Sequence, residues 1–246
     1  MLKARYKKYT LHFRFAAGTS RGVMHKKTSY FIMVERDDAC VAGIGECGLL
    51  QGLSPDDTSS YEIKLQEVCQ NIEQYAERPE ILQDYPSIRF GLEMALKDIG
   101  AYRARELFPS PFSMGHAGIP INGLIWMGSA DDMQEQIERK LKAGFSCLKL
   151  KIGAIAWEQE HDLLKKIRNR YDVDTLELRV DANGAFSPET ARARLDALHT
   201  LKIHSIEQPI KPGQPAQMAR LCKEHAVPVA LDEELIGVYE STHKME

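Results

Sequence analysis

The sequence predicts a small α+β domain followed by an incomplete α/β, TIM-like barrel of about five β/α units. Three observations carry that reading. The strand-like runs Leu178-Arg179-Val180-Asp181, His204-Ser205-Ile206-Glu207 and Val229-Ala230-Leu231-Asp232 each end in a carboxylate, at steps of 26 and 25 residues. Such a step is about one β/α unit of a barrel, whose eight units take roughly 250 residues. One unit earlier, Cys147-Leu148-Lys149-Leu150-Lys151 ends the same kind of run in two lysines. Before residue 112 the grammar is different, with strands first and helices after.

In that N-terminal part, expected over residues 1–112, Tyr9 to Phe15 and Ser29 to Val34 alternate like half-buried strands. Ser54-Pro55-Asp56-Asp57 is a helix-start signal. Leu65, Val68, Ile72 and Tyr75 then recur at helical spacing, as do Ile88, Leu92, Ala95, Leu96 and Ile99. Phe108-Pro109-Ser110-Pro111 and His116-Ala117-Gly118 read as a linker.

A partial β/α barrel is expected over residues 119–246. Strands are predicted near 120–126, 146–151, 176–181, 203–207 and 227–232, with helices between them. Lys142-Ala143-Gly144 marks a helix stop, with glycine just past the end. Ser187-Pro188-Glu189 marks a start, with a capping serine and proline at the first helical position. A closed barrel needs about three strands more, so a truncated reading frame or a fragment is expected.

Composition narrows the function classes. The 246 residues are 43% hydrophobic and 27% charged, with a formal net charge of −3 and no long run of one sign. That balance argues against nucleic acid or an anionic membrane as partner. No apolar stretch approaches the ~20 residues of a membrane span. The five cysteines, Cys40, Cys47, Cys69, Cys147 and Cys222, are odd in number and show no CxxC spacing. Reduced thiols and a cytoplasmic location are expected.

The chemistry follows from the strand ends, because barrel active sites lie at the carboxyl ends of the strands. Asp181, Glu207 and Asp232 are expected to converge there. Ionised carboxylates that close repel one another unless a cation compensates, and hard oxygen donors suit Mg²⁺, with Mn²⁺ as a substitute. Any one of these acids alone reads as an ordinary loop residue or helix cap; three in consecutive units favour the metal. Lys149 and Lys151 share one strand face, while Leu148, Leu150 and Ile152 form the opposite, apolar set. The lysines are therefore expected to face the barrel interior, with ammonium pKa values pushed down by each other and by the cation, which would make a lysine a general base. The substrate class is a small-molecule carboxylate that chelates the metal and loses its α-proton to lysine, the metal stabilising the enediolate.

Lys149-Leu150-Lys151, Val180-Asp181-Ala182-Asn183-Gly184, Ile206-Glu207-Gln208-Pro209 and Leu231-Asp232-Glu233-Glu234-Leu235 resemble the active-site motifs of the enolase superfamily, muconate-lactonizing branch. A lysine base with Mg²⁺ stabilising an ene-diolate is that superfamily's pattern. Thr19-Ser20-Arg21-Gly22-Val23, Gly45-Glu46-Cys47-Gly48, Pro86-Ser87-Ile88-Arg89-Phe90-Gly91-Leu92-Glu93 and Ile121-Asn122-Gly123-Leu124-Ile125-Trp126-Met127-Gly128 extend the resemblance over essentially the whole chain. They point toward the o-succinylbenzoate synthases of the menaquinone pathway.

The resemblance implies a carbon–oxygen lyase that dehydrates 2-succinyl-6-hydroxy-2,4-cyclohexadiene-1-carboxylate. Asp181, Glu207 and Asp232 would hold Mg²⁺. Lys151 would take the α-proton and help the hydroxyl leave, and Lys149 would act electrostatically near the carboxylate. Asn183 would support the metal site, and the loop from Gly18 to Arg21 would close over substrate. A racemase or epimerase of N-acylamino acids or dipeptides is the alternative within the superfamily, and an inactive fragment the alternative outside it. The family has a further lysine at the end of the sixth barrel strand, beyond the last residue here; Lys244 is not expected to replace it. Homo-oligomerisation is left open.

Gly43-Ile44-Gly45-Glu46-Cys47-Gly48 matches GxGxxG, but the context is wrong for a dinucleotide site, which needs a βαβ unit. It reads as a glycine-rich turn. Trp157, Leu164, Ile167 and Tyr171 read as helix core, and Arg192-Ala193-Arg194 as a solvated helix face.

Overall fold

The computed structural model describes residues 1–19, 22–38, 41–101, 103 and 105–238. The chain divides into two units, Met1–Ile119 and Pro120–Glu246.

The first unit is a three-stranded antiparallel sheet in chain order, β1 (Leu2–Thr19), β2 (Gly22–Arg36) and β3 (Gly43–Cys47). Helices α1 (Tyr61–Gln70), α2 (Ile72–Glu77) and α3 (Pro86–Ile99) follow. Ile32 and Val34 of β2 bury one face against Leu65, Val68, Ile88, Leu92 and Ala95 of the helices. Each of these Ile, Leu and Val side chains contributes about 1.5–3 kcal/mol relative to exposure. The half-buried stretch of β1 lies earlier than its alternation predicts. Leu2, Ala4 and Tyr6 pack on the core, while Tyr9, Leu11 and Phe13 are exposed, since the hairpin runs on past the core.

Two sequence signals prove to mean something else. Ser54 to Asp57 does not begin a helix; α1 starts at Tyr61. The Asp56 carboxylate is instead taken by the backbone N–H and hydroxyl of Ser87, at 2.9 and 2.6 Å, and so caps the first turn of α3. Nor is Gly43–Gly48 simply a turn, since Gly43–Cys47 is β3 itself. Its glycines let the strand lie against α3. A Cβ on Gly45 would stand 1.8 Å from the Gly91 carbonyl oxygen, and one on Gly43 would stand 2.1 Å from that of Ala95.

The second unit is a parallel sheet of five strands in chain order: β4 (Gly123–Ile125), β5 (Cys147–Lys151), β6 (Glu177–Asp181), β7 (Ser205–Glu207) and β8 (Val229–Ala230). The connecting helices are α4 (Ala130–Lys142), α5 (Trp157–Arg170), α6 (Pro188–Thr200) and α7 (Pro215–Glu224). This is an incomplete α/β barrel. Ser187 caps α6 with a capping box and Pro188 at its first position. Gly144, at φ +85°, follows the end of α4. Leu148, Leu150, Leu178, Val180 and Ile206 from the strands bury against Ile137, Leu164, Leu195 and Leu221 from the helices. That apolar layer leaves the opposite strand face for polar side chains.

Cys47, Cys69, Cys147 and Cys222 are free thiols; Cys40 lies outside the described residues. No helix among the described residues is long and apolar enough to cross a membrane.

Candidate active site

Parallel register builds the site. Lys151 pairs with Asp181 across β5 and β6, Asp181 with Glu207 across β6 and β7, and Glu207 with Ala230 across β7 and β8. One row at the strand ends therefore carries a lysine and two carboxylates on three neighbouring strands. Lys149, two residues before Lys151, shares its face.

The side chains close into a charged cluster. Lys151 Nζ donates to Asp181 Oδ2 at 2.5 Å and to Asn183 Oδ1 at 2.9 Å. Lys149 Nζ lies 3.2 Å from Asp181 Oδ2 and donates to Glu207 Oε2. Asp181 is fully buried, and its Oδ1 accepts the Asn183 backbone N–H at 3.0 Å. Asn183 sits at φ +44°, a left-handed conformation that points to a constrained strand-end turn. Its Nδ2 donates to Glu233 Oε1 at 3.1 Å. Arg21 lies outside the described residues, as does Lys244.

Lys149 departs from expectation in its ionisation. Burial lowers its pKa, but the hydrogen bond to Glu207 and the charge of Asp181 outweigh it, and the ammonium is held above its ordinary range. Without a bound cation, carboxylates rather than like charges dominate its surroundings. Burial raises Asp181, yet the Lys151 hydrogen bond and charge bring it below the ordinary carboxylate range. Glu207 is held above that range by burial, with the charge of Asp181 adding to the rise and Lys149 opposing it.

Asp232 stands apart. It is exposed, and its carboxylate makes no hydrogen bond or ion pair with another described residue. The register sets Ala230 opposite Glu207, so Asp232 lies two positions further on, at the start of a 3₁₀ turn over Glu233–Leu235. Among the described residues no three His, Cys, Asp or Glu side chains gather closely enough to hold a metal. The donor chemistry of the remaining pair nevertheless fits Mg²⁺. Asp181 and Glu207 already share one cation, the Lys149 ammonium, and Mg²⁺ is commonly held by one or two carboxylates with waters and substrate oxygens.

Glu233 joins this network and Gln208 lies beside it, although the sequence gives their side chains no role. Glu233 accepts from Asn183, and its second oxygen is buried without a partner among the described residues. Gln208 is fully buried. Their signal was adjacency: each directly follows a strand-end acid.

Parallel strands ending in a lysine pair and facing carboxylates define an enzyme of the α/β-barrel class, with its chemistry at the strand ends. A family profile described as enolase C-terminal domain-like matches residues 132–246. The o-succinylbenzoate synthase of Desulfotalea psychrophila is 42% identical over 95% of this chain and 72% of its own length. The crystal structure of MenC from that organism superposes with a TM-score of 0.83 at 36% identity, covering 99% of this chain and 74% of that one. The structure of the Thermosynechococcus elongatus o-succinylbenzoate synthase, described as complexed with Mg in the active site, shares the fold at a TM-score of 0.75 and 22% identity, covering 94% of this chain and 68% of that one. The chain belongs to the enolase superfamily, and its close relatives are lyases.

Proposed function

We propose that this chain forms o-succinylbenzoate by dehydrating 2-succinyl-6-hydroxy-2,4-cyclohexadiene-1-carboxylate, with Mg²⁺, or Mn²⁺ in its place, bound at Asp181, Glu207 and Asp232. The observation that carries the reading is the Lys151–Asp181–Lys149–Glu207 cluster on adjacent strand ends. The 42% identity to an o-succinylbenzoate synthase supports this reaction over others of the superfamily; the epimerase relatives reach 30% and 23%.

When bound, the cation supplies charge stabilisation to the substrate carboxylate as its α-proton leaves. Lys151 takes that proton on Nζ and then returns it to the departing hydroxyl, which leaves as water. The electron pair of the broken C–H bond becomes the new C=C bond as the C–O bond breaks. Lys149 remains an ammonium, in keeping with its raised pKa, and offsets negative charge on the substrate. Asn183 orients Lys151 through its 2.9 Å hydrogen bond. Arg21 contributes to substrate recognition. Residues 1–112 serve as the capping domain and 119–246 as the barrel domain, and the enzyme works in the cytoplasm.

The test is to supply the purified chain with the cyclohexadiene substrate and Mg²⁺, and separately with L-Ala-L-Glu in D₂O. Formation of o-succinylbenzoate supports the proposal. Deuterium at the dipeptide α-carbon without any o-succinylbenzoate would replace it with an epimerase.

A further inference from the structure

Gln208 presents a fully buried carboxamide in which every donor and acceptor is used. Its Oε1 accepts two backbone N–H groups, from Asp232 at 3.1 Å and from Glu234 at 3.2 Å. Its Nε2 donates to the Ile210 carbonyl at 3.0 Å and to Glu234 Oε2 at 3.3 Å. Glu234 Oε1 in turn accepts the Gly213 N–H at 3.0 Å. The backbone of Gln208 ties in both neighbours as well. Its N–H donates to Ala230 at 2.9 Å, and its carbonyl accepts from Gly184 at 2.7 Å.

Turning the carboxamide over would set its NH₂ against two N–H groups and its oxygen against a carbonyl and a carboxylate, so one orientation is specified. The backbone at this residue is left-handed, at φ +39°, a conformation that costs a non-glycine residue energy. The 3₁₀ turn over Glu233–Leu235 has no capping side chain of its own at Asp232. Gln208, reaching across from the end of β7, supplies that acceptor.

The consequence falls on Asp232. Its carboxylate has no partner among the described residues, so its position is set by the backbone of the turn, and Gln208 holds that backbone. We propose that Gln208 is a positioning residue for the cation site, placing Asp232 through the two backbone N–H groups that its carboxamide oxygen binds. The inference rests on the functional reading above, in which Asp232 is a ligand.

Two variants test it on the full 246-residue chain. Gln208→Asn keeps the amide, shortens it by one methylene, and suits a left-handed backbone better than glutamine does. Gln208→Met keeps the length and removes the polar groups. Gln214→Ala, which removes a hydrogen bond to the Lys211 carbonyl in the neighbouring loop and leaves this network intact, is the control. The readouts are Mg²⁺ affinity by calorimetry, amide hydrogen exchange at Asp232 and Glu234 without metal, and Tm. Expected for either Gln208 variant are Mg²⁺ binding weaker by about tenfold and faster exchange at those two amides, with Gln214→Ala within about threefold of wild type. Wild-type affinity in a folded Gln208 variant would overturn the inference alone, as would a lowered Tm with exchange raised evenly across the barrel. A wild-type chain that binds no Mg²⁺ would overturn the functional reading and this inference together.

Discussion

Lys151 donates a 2.5 Å hydrogen bond to Asp181, the residue that the parallel register of β5 and β6 sets directly opposite it. The proposed base and the proposed metal-binding acid are thus neighbours by strand pairing and need no loop to meet. The same row continues to Glu207, so changes at one member should register at the others.

Asp181→Asn should destabilise the metal-free protein by about 3 kcal/mol, because two lysines lose a buried counter-charge. Asp181 lies below the ordinary carboxylate range in the folded state. Its contribution is therefore present above about pH 4 and is lost as pH falls through the depressed value. Denaturant unfolding at neutral and acidic pH should show the variant losing less stability on acidification than wild type. An identical acid limb would contradict the assignment.

Glu207→Gln should act in the opposite direction. Glu207 is held above its ordinary range, so its contribution is present below that range and is lost as pH rises through the raised value. At neutral pH the metal-free variant should melt higher than wild type while binding Mg²⁺ more weakly. A lower metal-free Tm would be the contrary result.

Lys149→Met removes the ammonium shared by Asp181 and Glu207. Two facing carboxylates remain, costing about 3 kcal/mol without metal. The rise in Tm on adding Mg²⁺ should then exceed that of wild type. Because the Lys149 pKa is raised, its stabilisation in wild type should persist up to about pH 10 and fall only above it. Calorimetric scans across that range, with and without Mg²⁺, check both statements.

Gly45→Ala tests the first unit. The new methyl would meet the Gly91 carbonyl oxygen at 1.8 Å, so strand and helix must separate. A loss of about 3 kcal/mol is expected, read as a Tm lower by roughly 6–12 °C. An unchanged Tm would mean that β3 does not lie on α3 as described.

The strand ends were legible because period and chemistry coincide. Apolar residues at alternate positions fix the face of Lys149 and Lys151, and the step of 26 residues from Asp181 to Glu207 brings those two acids to one row. The barrel helices were legible through Ser187, Pro188 and Gly144, which act locally. What escaped depends on partners far along the chain. Asp56 reads as a helix start but caps α3, thirty-one residues away. Gly43 and Gly45 read as a turn, yet serve the close approach of α3. The direction of the Lys149 shift needed the positions of two carboxylates on other strands. Gln208 gave no sign of its reach to Asp232 and Glu234.

The most direct measurement is the rate of o-succinylbenzoate formation by wild type and Lys151→Ala with Mg²⁺ present, alongside the Mg²⁺ affinity of each. The account predicts a rate lower by about 10³-fold or more with affinity within about threefold. A Lys151→Ala chain that forms product at the wild-type rate would contradict it.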